Sequence, residues 1–393
     1  MPVSFNLTTC YDHLLARAIF LIRRFLLNSV APRLLIAVSA APSVMLGLAA
    51  SLFVSCVHTS EPPIQLPDTT SHNFTWKVEH LGDGISSFLE DVAIINDSLA
   101  YAVGAVYVRD SVGNWDPDAF NVVKWNGSEW KLLRIPFVGV CTAVTYPPIT
   151  AIWGFSQNSI LLTNGGSIVT YDGVTASMDC RMNSLLVGAI NKIFATTAED
   201  IYAVGNSGAI VHYGNGTWQK VESGTTLPIQ DIWGSVASTT YGTEVLALAS
   251  TKYLAPVAMK LLRLQEAAVT PVSDAGLPGS LSGLWFSPGR QYYVVGDGLY
   301  MKDQASTQTP WVRVDVGVTG YNEAIRGNSA NDIMAVGHFG TILHYNGTTW
   351  HNYQNEIPIL QDAVLHAVAV KGNLVVAVGE DFGHGVVAVG RRP

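Results

Sequence analysis

A chain of 393 residues that is 48% hydrophobic and only 13% charged, with 36 glycines, 10 tryptophans and 15 tyrosines, is not disordered; its composition suits short aromatic strands joined by tight turns. The formal net charge of -8 understates the acidity, because residues 1–56 hold four arginines and one aspartate and the remainder carries 18 basic against 29 acidic residues. That surface repels phosphate backbones and excludes nucleic acid as an expected partner.

Arg17, Arg23, Arg24 and Arg33 precede 22 uncharged residues, Leu34 to Ser55, and Cys56 follows. A basic flank, an apolar core and a small residue before a cleavage point make residues 1–55 an expected export signal. The ending Leu52-Phe53-Val54-Ser55-Cys56 resembles the lipobox of bacterial lipoproteins, with Phe53 where an aliphatic residue is usual. The resemblance implies lipidation of Cys56, the lipid bilayer as a partner, and a membrane-anchored lipoprotein of the bacterial cell envelope facing the periplasm or the cell exterior. An uncleaved membrane helix, for which 22 apolar residues suffice, and simple secretion are the alternatives. Arg23-Arg24 before Phe25-Leu26-Leu27 also resembles a twin-arginine signal. Residues 56–73, with Pro62, Pro63 and Pro67 and no hydrophobic period, read as a lipid-anchored tether. Beyond them only Cys141 and Cys180 remain. In an oxidising compartment a disulfide between them is expected, worth roughly 3 to 4 kcal/mol by chain entropy, with two buried thiols as the alternative.

Residues 74–393 contain a repeat. Ile193 to Thr225 reads IFATTAEDIYAVGNSGAIVHYGNGTWQKVESGT and recurs from Ile325 to Tyr353 as IRGNSANDIMAVGHFGTILHYNGTTWHNY. Each copy holds four β-rich runs separated by glycine-asparagine turns, which is one propeller blade in about 40 residues. Alternation places Tyr202 and Val204 on one face of the sheet and Ile201 and Ala203 on the other. The glycine ending the second strand recurs at Gly104, Gly165, Gly205, Gly296, Gly337 and Gly379, with a degenerate position near Ser250. The spacings of 61, 40, 91, 41 and 42 count seven units, the 91 being two and the 61 containing an insertion at residues 109–120. First strands at Ile152-Trp153-Gly154, Ile193-Phe194, Ile232-Trp233-Gly234, Leu284-Trp285 and Ile325-Arg326-Gly327 agree. The expected fold is an all-β, seven-bladed β-propeller; six or eight blades are the alternatives, because blades four and five are irregular. The last unit lacks its outer Trp-containing strand, and Thr75-Trp76-Lys77-Val78-Glu79 matches that strand, so residues 74–80 are expected to close the ring on the C-terminal blade.

The IWG, DIYAVG, HYNG and TW pattern resembles the tandem repeats of bacterial surface lipoproteins in the sialidase-like and photosystem-assembly-factor-like propeller groups. The resemblance covers residues 74–393 and implies the fold; members of such groups serve as glycosidases, assembly factors and binding scaffolds.

Chemistry-bearing motifs are few. Arg134-Ile135-Pro136 matches the core of the sialidase Arg-Ile-Pro motif but falls on the expected outer strand of blade one, and Tyr345 stands where the Asp box would have its aspartate. His212 and His344 occupy equivalent third strands in separate blades, which suits packing or hydrogen bonding and gives no metal-ligand spacing. The Asn-Gly pairs at Asn126, Asn215 and Asn346 are accounted for as turns. No nucleophile elbow, zinc-binding HExxH, phosphate-binding loop or paired CxxC is present, and no cofactor or metal is expected. Loops between second and third strands gather on one face of a propeller. Here they carry Tyr107, Arg109, Trp115, Asp116 and Asp118 in the insertion, then Asp297, His338, Phe339, Glu380, Asp381 and His384. Aromatics beside carboxylates suit a carbohydrate, peptide or cation, and solvated loops are the plain alternative. Two functions follow as expectations: a monomeric, non-enzymatic binding or assembly scaffold for a protein or carbohydrate at the envelope, or a carbohydrate-active enzyme (glycosidase or glycosyl transferase) with its acid and base at the channel mouth.

Overall fold

The computed structural model describes residues 69–393 apart from 85, 140–142, 179–183, 187, 239–241, 266–267, 288–290, 304–308 and 318. The export signal, Cys56, most of the tether and both Cys141 and Cys180 lie outside the described residues. Within them the chain forms seven four-stranded antiparallel sheets, so the count is seven. The first strands are Phe88–Asn96, Ala151–Ser156, Ile190–Thr197, Ile229–Ser238, Leu281–Ser287, Asn322–Ser329 and Val364–Lys371. Each touches the first strand of the next blade and the seventh touches the first, which places all seven around a central channel.

The alternation read from the sequence is what packs the blades. Tyr202 and Val204 of blade three join Ile232, Val245 and Leu262 of blade four in one cluster, whereas Ile201 and Ala203 join Ala151 and Leu161 of blade two in another. Every blade thus buries both faces against neighbours, as period-two strands with two apolar faces require. The IWG motif is part of this packing. A β-carbon on Gly234 would meet the Phe194 ring at 2.6 Å, and one on Gly154 would meet Ile95 at 2.3 Å, so each glycine admits a large side chain of the preceding blade. The tryptophans fill the channel: Trp153 and Trp233 lie 6.2 Å apart between ring centroids, with Phe194 within 5.2 and 5.8 Å of them.

The ring closes at the termini. Thr75–Leu81 pairs antiparallel with His384–Arg391 as the fourth strand of blade seven, from Thr75 opposite Arg391 to Leu81 opposite Gly385. Trp76 is half-buried, lying against Gly390 and 5.3 Å from the Tyr353 ring. Docking begins before the strand: Thr70 N–H donates to Asn346 O at 3.1 Å and Thr70 Oγ1 donates to Asn331 O at 2.6 Å, so the last residues of the segment read as tether run along blade six.

Candidate functional site at the channel mouth

The side chains around the channel mouth are set by a recurrent backbone irregularity. In six blades the pairing of first and second strands slips by one residue, between Leu89 and Asp91, Ile190 and Lys192, Ile229 and Asp231, Leu281 and Gly283, Asn322 and Ala324, and Leu365 and Ala367. A β-bulge re-aims the extra residue. The extra residues are Glu90, Asn191, Gln230, Ser282, Glu323 and His366, and with Thr150 of blade two they line a cavity of about 230 Å³ at the mouth.

Several of these residues also join blades. Thr150 Oγ1 donates to Ile190 O at 3.1 Å, Asn191 Nδ2 to Ile229 O at 3.0 Å, and Ser282 Oγ to Asn322 O at 2.6 Å, each acceptor belonging to the next blade. Below them Asp91 and Asp231 repeat one device in blades one and four. Asp91 Oδ2 accepts from the Ile152 N–H at 3.1 Å and Asp231 Oδ2 from the Leu284 N–H at 2.9 Å, again one blade on. Lys192 neutralises Asp91 at 2.6 Å, and Arg326 forks onto Asp231 at 2.7 and 2.9 Å while lying 5.0 Å from the Trp233 ring centre. These buried pairs are hydrogen-bonded throughout, which their desolvation requires.

One arc of the mouth is closed on itself. Glu323, almost wholly buried, accepts from Lys252 Nζ at 3.0 Å and pairs with His338 Nε2 at 3.0 Å. Burial raises its carboxyl pKa, but the His338 hydrogen bond and the Lys252 charge outweigh that and hold it at about 2. Lys252 is held above the ordinary lysine range: burial opposes its charge and the Glu323 carboxylate more than compensates. Lys252 reaches this position from a left-handed backbone, φ 50°. His366 stands 3.9 Å from Glu380.

An aromatic ridge rises from this arc. Ring centroids run from Tyr253 to Tyr321 at 5.7 Å, to His338 at 5.6 Å and to Phe339 at 6.3 Å. Tyr253 is 63% exposed and Phe339 58%. Phe339 has φ 58°, matching Ser207 at the equivalent turn of blade three, also φ 58°. A bulky residue in the left-handed region at an exposed tip costs about 1 kcal/mol or more.

Of the residues singled out in the sequence, His338, Phe339 and Glu380 come together here. Asp297 is exposed, its N–H bonded to Ser280 O at 2.9 Å. Asp381 is buried and bonds His80 at 2.7 Å across the closing seam, and His384 lies against that same His80, 6.0 Å between rings. The insertion folds on itself. Arg109 lies 4.1 Å over the half-buried Trp115 ring and donates to Gly113 O at 2.9 Å; Asp116 pairs with Arg134, which also donates to Asp118 O at 2.6 Å. The Arg134 hydrogen bond holds the Asp116 carboxyl below its usual range. Tyr107, half-buried, takes the Ser87 hydroxyl on its N–H at 3.0 Å. Arg134 thus serves the insertion beyond the outer strand. His212 and His344 hydrogen-bond Asp200 at 2.7 Å and Asp332 at 2.9 Å, each within its own blade. The ring residues Glu90, Thr150, Asn191, Gln230, Ser282, Glu323 and His366, and the loop residues Lys252 and Tyr253, were not singled out. Their signal was positional: each ring residue lies two before the first-strand isoleucine, leucine or valine.

No sequence-family profile and no curated protein sequence matches this chain. Solved structures do. YCF48 bound to a D1 peptide superposes with a TM-score of 0.58 at 14% identity, covering 83% of this chain and 99% of that one. YCF48 from Cyanidioschyzon merolae gives 0.57 at 17% identity over 81% and 99%, and the WD40 propeller domain of Doa1 gives 0.56 at 14% identity over 81% and 97%. At these identities the likeness is one of fold, the seven-bladed β-propeller.

Proposed function

We propose that this chain is a non-enzymatic scaffold of the bacterial cell envelope whose loop face binds a segment of a partner protein. The observation that carries the reading is the ridge Tyr253–Tyr321–His338–Phe339, whose two ends, Tyr253 and Phe339, are exposed rings, the latter on an unfavourable backbone, standing beside a polar mouth. Aromatic side chains in such a position supply contact area at low entropic cost. The solved YCF48 complex with a D1 peptide supports the reading by showing a propeller of this fold engaged with a polypeptide.

The charges of the mouth argue against two-carboxylate hydrolysis. Asp91, Asp231 and Glu323 are each committed to a cation, which leaves Glu90 as the one carboxylate among the described lining residues of the cavity without an ion pair, where glycoside cleavage needs two. Replacing the ridge tests the reading. Tyr253→Ser with Phe339→Ser, the latter installing the residue of blade three, is expected to lower co-purification of partner proteins about tenfold with an unchanged melting temperature. Undiminished recovery of the same partners defeats the proposal.

The envelope location rests on the export signal and on Cys56. Cys56→Ser is expected to release the protein from the membrane fraction or to stall its processing; retention at the mature size means that lipid on Cys56 is not the anchor.

A further inference from the structure

The arc of the mouth opposite Glu323 is built differently, and its chemistry specifies a ligand. Asn191 Nδ2 spends both hydrogens, on Asn206 Oδ1 at 2.9 Å and on Ile229 O at 3.0 Å. Gln230 Nε2 donates to Ser250 O at 2.7 Å, and the single Thr150 hydroxyl hydrogen is shared between Ile190 O at 3.1 Å and Thr163 O at 3.2 Å. Backbone carbonyls as partners settle which end of each amide is nitrogen. What these groups leave over is oxygen: Asn191 Oδ1, Gln230 Oε1 and the Thr150 lone pairs, none with a hydrogen-bond donor among the described residues. Glu90 completes the arc in blade one with a carboxylate that has neither ion pair nor hydrogen bond among the described residues. The basic groups of the cavity lining have partners of their own: Lys192 is held by Asp91, Arg326 by Asp231 and Lys252 by Glu323, and His366 stands 3.9 Å from Glu380.

Four successive blades therefore present acceptors and one uncompensated negative charge to the same cavity. We infer that this arc takes the basic side chain, lysine or arginine, of the polypeptide segment that the loop face binds. The inference rests on the proposed protein-binding role. An ammonium or guanidinium group supplies only donors and a positive charge, the complement of this arc. A ligand carboxylate or phosphate would meet the free oxygens of this arc, while the cations of the lining, Lys192, Lys252 and Arg326, are already paired with Asp91, Glu323 and Asp231. The aromatic ridge, which runs from the blade-four loop at Tyr253 to Tyr321, His338 and Phe339 of blade six, gives the residues flanking that basic side chain a surface, which a free amine would leave unused.

The test uses the full-length protein and pools of acetylated, amidated heptapeptides, random except for a central Lys, Arg, Gln or Glu. The Lys and Arg pools are expected to be retained about tenfold more than the Gln pool, the worth of one charge-assisted hydrogen-bonded contact. Glu90→Gln should bring that ratio close to one at an unchanged melting temperature, while Glu90→Asp keeps part of it. Retention that ignores the central residue, or selectivity that survives Glu90→Gln, overturns the inference and leaves peptide binding standing. Retention of no pool above bare resin overturns both. Displacement of the Lys pool by free butylammonium at the same concentration as the peptide identifies a small-amine site and overturns the assignment to a polypeptide.

Discussion

The glycine that ends the second strand of a blade is required by its neighbour and not by its own dihedral angles. A β-carbon on Gly205 would fall 1.9 Å from Ala189 O, and one on Gly379 would fall 1.9 Å from Val364 O; Gly104, Gly296 and Gly337 repeat the approach at 2.2, 2.4 and 2.2 Å. The obstacle is backbone, so it cannot swing aside. Gly205→Ala is expected to cost about 2 to 3 kcal/mol. Gly216, with φ +76° and nothing within 4 Å of an added carbon, pays only for its left-handed conformation, so Gly216→Ala should cost about 1 kcal/mol. Urea denaturation of the two variants checks this, and equal losses would mean that the close approach relaxes. Such a residue is legible because the repeat needs it in blade after blade. Glu90 and Asp231 were illegible for the opposite reason: the residue type at their positions changes from blade to blade, and the Asp231 partners, Leu284 and Arg326, are 53 and 95 residues away in other blades.

Among elements, legibility followed the regularity of the repeat. The strands of blades three and six and the closing strand stand where their motifs put them, with Asp200–Gly205 and Asp332–Gly337 as second strands. Blade four lost its marker because Ala249, and not Ser250, pairs with the first strand there, opposite Ile229. In blade two Gly165 lies past the last paired residue, Thr163, and turns the chain at φ +88°. Without a marker the long loop after Ser250 was read as irregular sequence, yet it delivers Lys252 and Tyr253 to the mouth. The insertion at residues 109–120 drew attention because it interrupts a regular copy. Its polar groups turn out to satisfy one another: Asp110 Oδ1 accepts from the Val112 and Asn114 N–H groups at 2.9 Å, and Asp116 is taken by Arg134. Length against the repeat finds an inserted loop; it does not show where the side chains of that loop go.

At the scale of the molecule, the ring is held shut by noncovalent contacts of its first described residues, and those contacts titrate. His72 Nδ1 lies 2.7 Å from His344 Nδ1, and His344 Nε2 is bonded to Asp332, which Arg392 grips with both terminal nitrogens at 2.9 and 2.6 Å. With His344 donating from Nε2, its Nδ1 accepts from His72, and His72 Nε2 accepts from the Thr349 hydroxyl at 3.1 Å. His351, itself paired with Glu356 at 2.6 Å, lies 5.2 Å away, and Tyr353 donates its hydroxyl hydrogen to His72 O. Burial, then the neighbouring His344 and His351, lower the His72 pKa from 6.5 to about 4. The folded state therefore binds fewer protons than the unfolded chain between those values. The stability His72 contributes is complete above about pH 6.5 and is lost as pH falls toward 4. Because His72 is partly solvated, the loss is on the order of 1 kcal/mol, or about 2 °C in melting temperature for a chain of this size. His72→Gln keeps a donor for His344 and removes the titration. Between pH 7 and pH 4.5 calorimetry should show the wild-type melting temperature falling about 2 °C further than that of the variant. Parallel pH profiles would show that the clasp does not sense acid and that its hydrogen bonds hold the seam equally at both pH values.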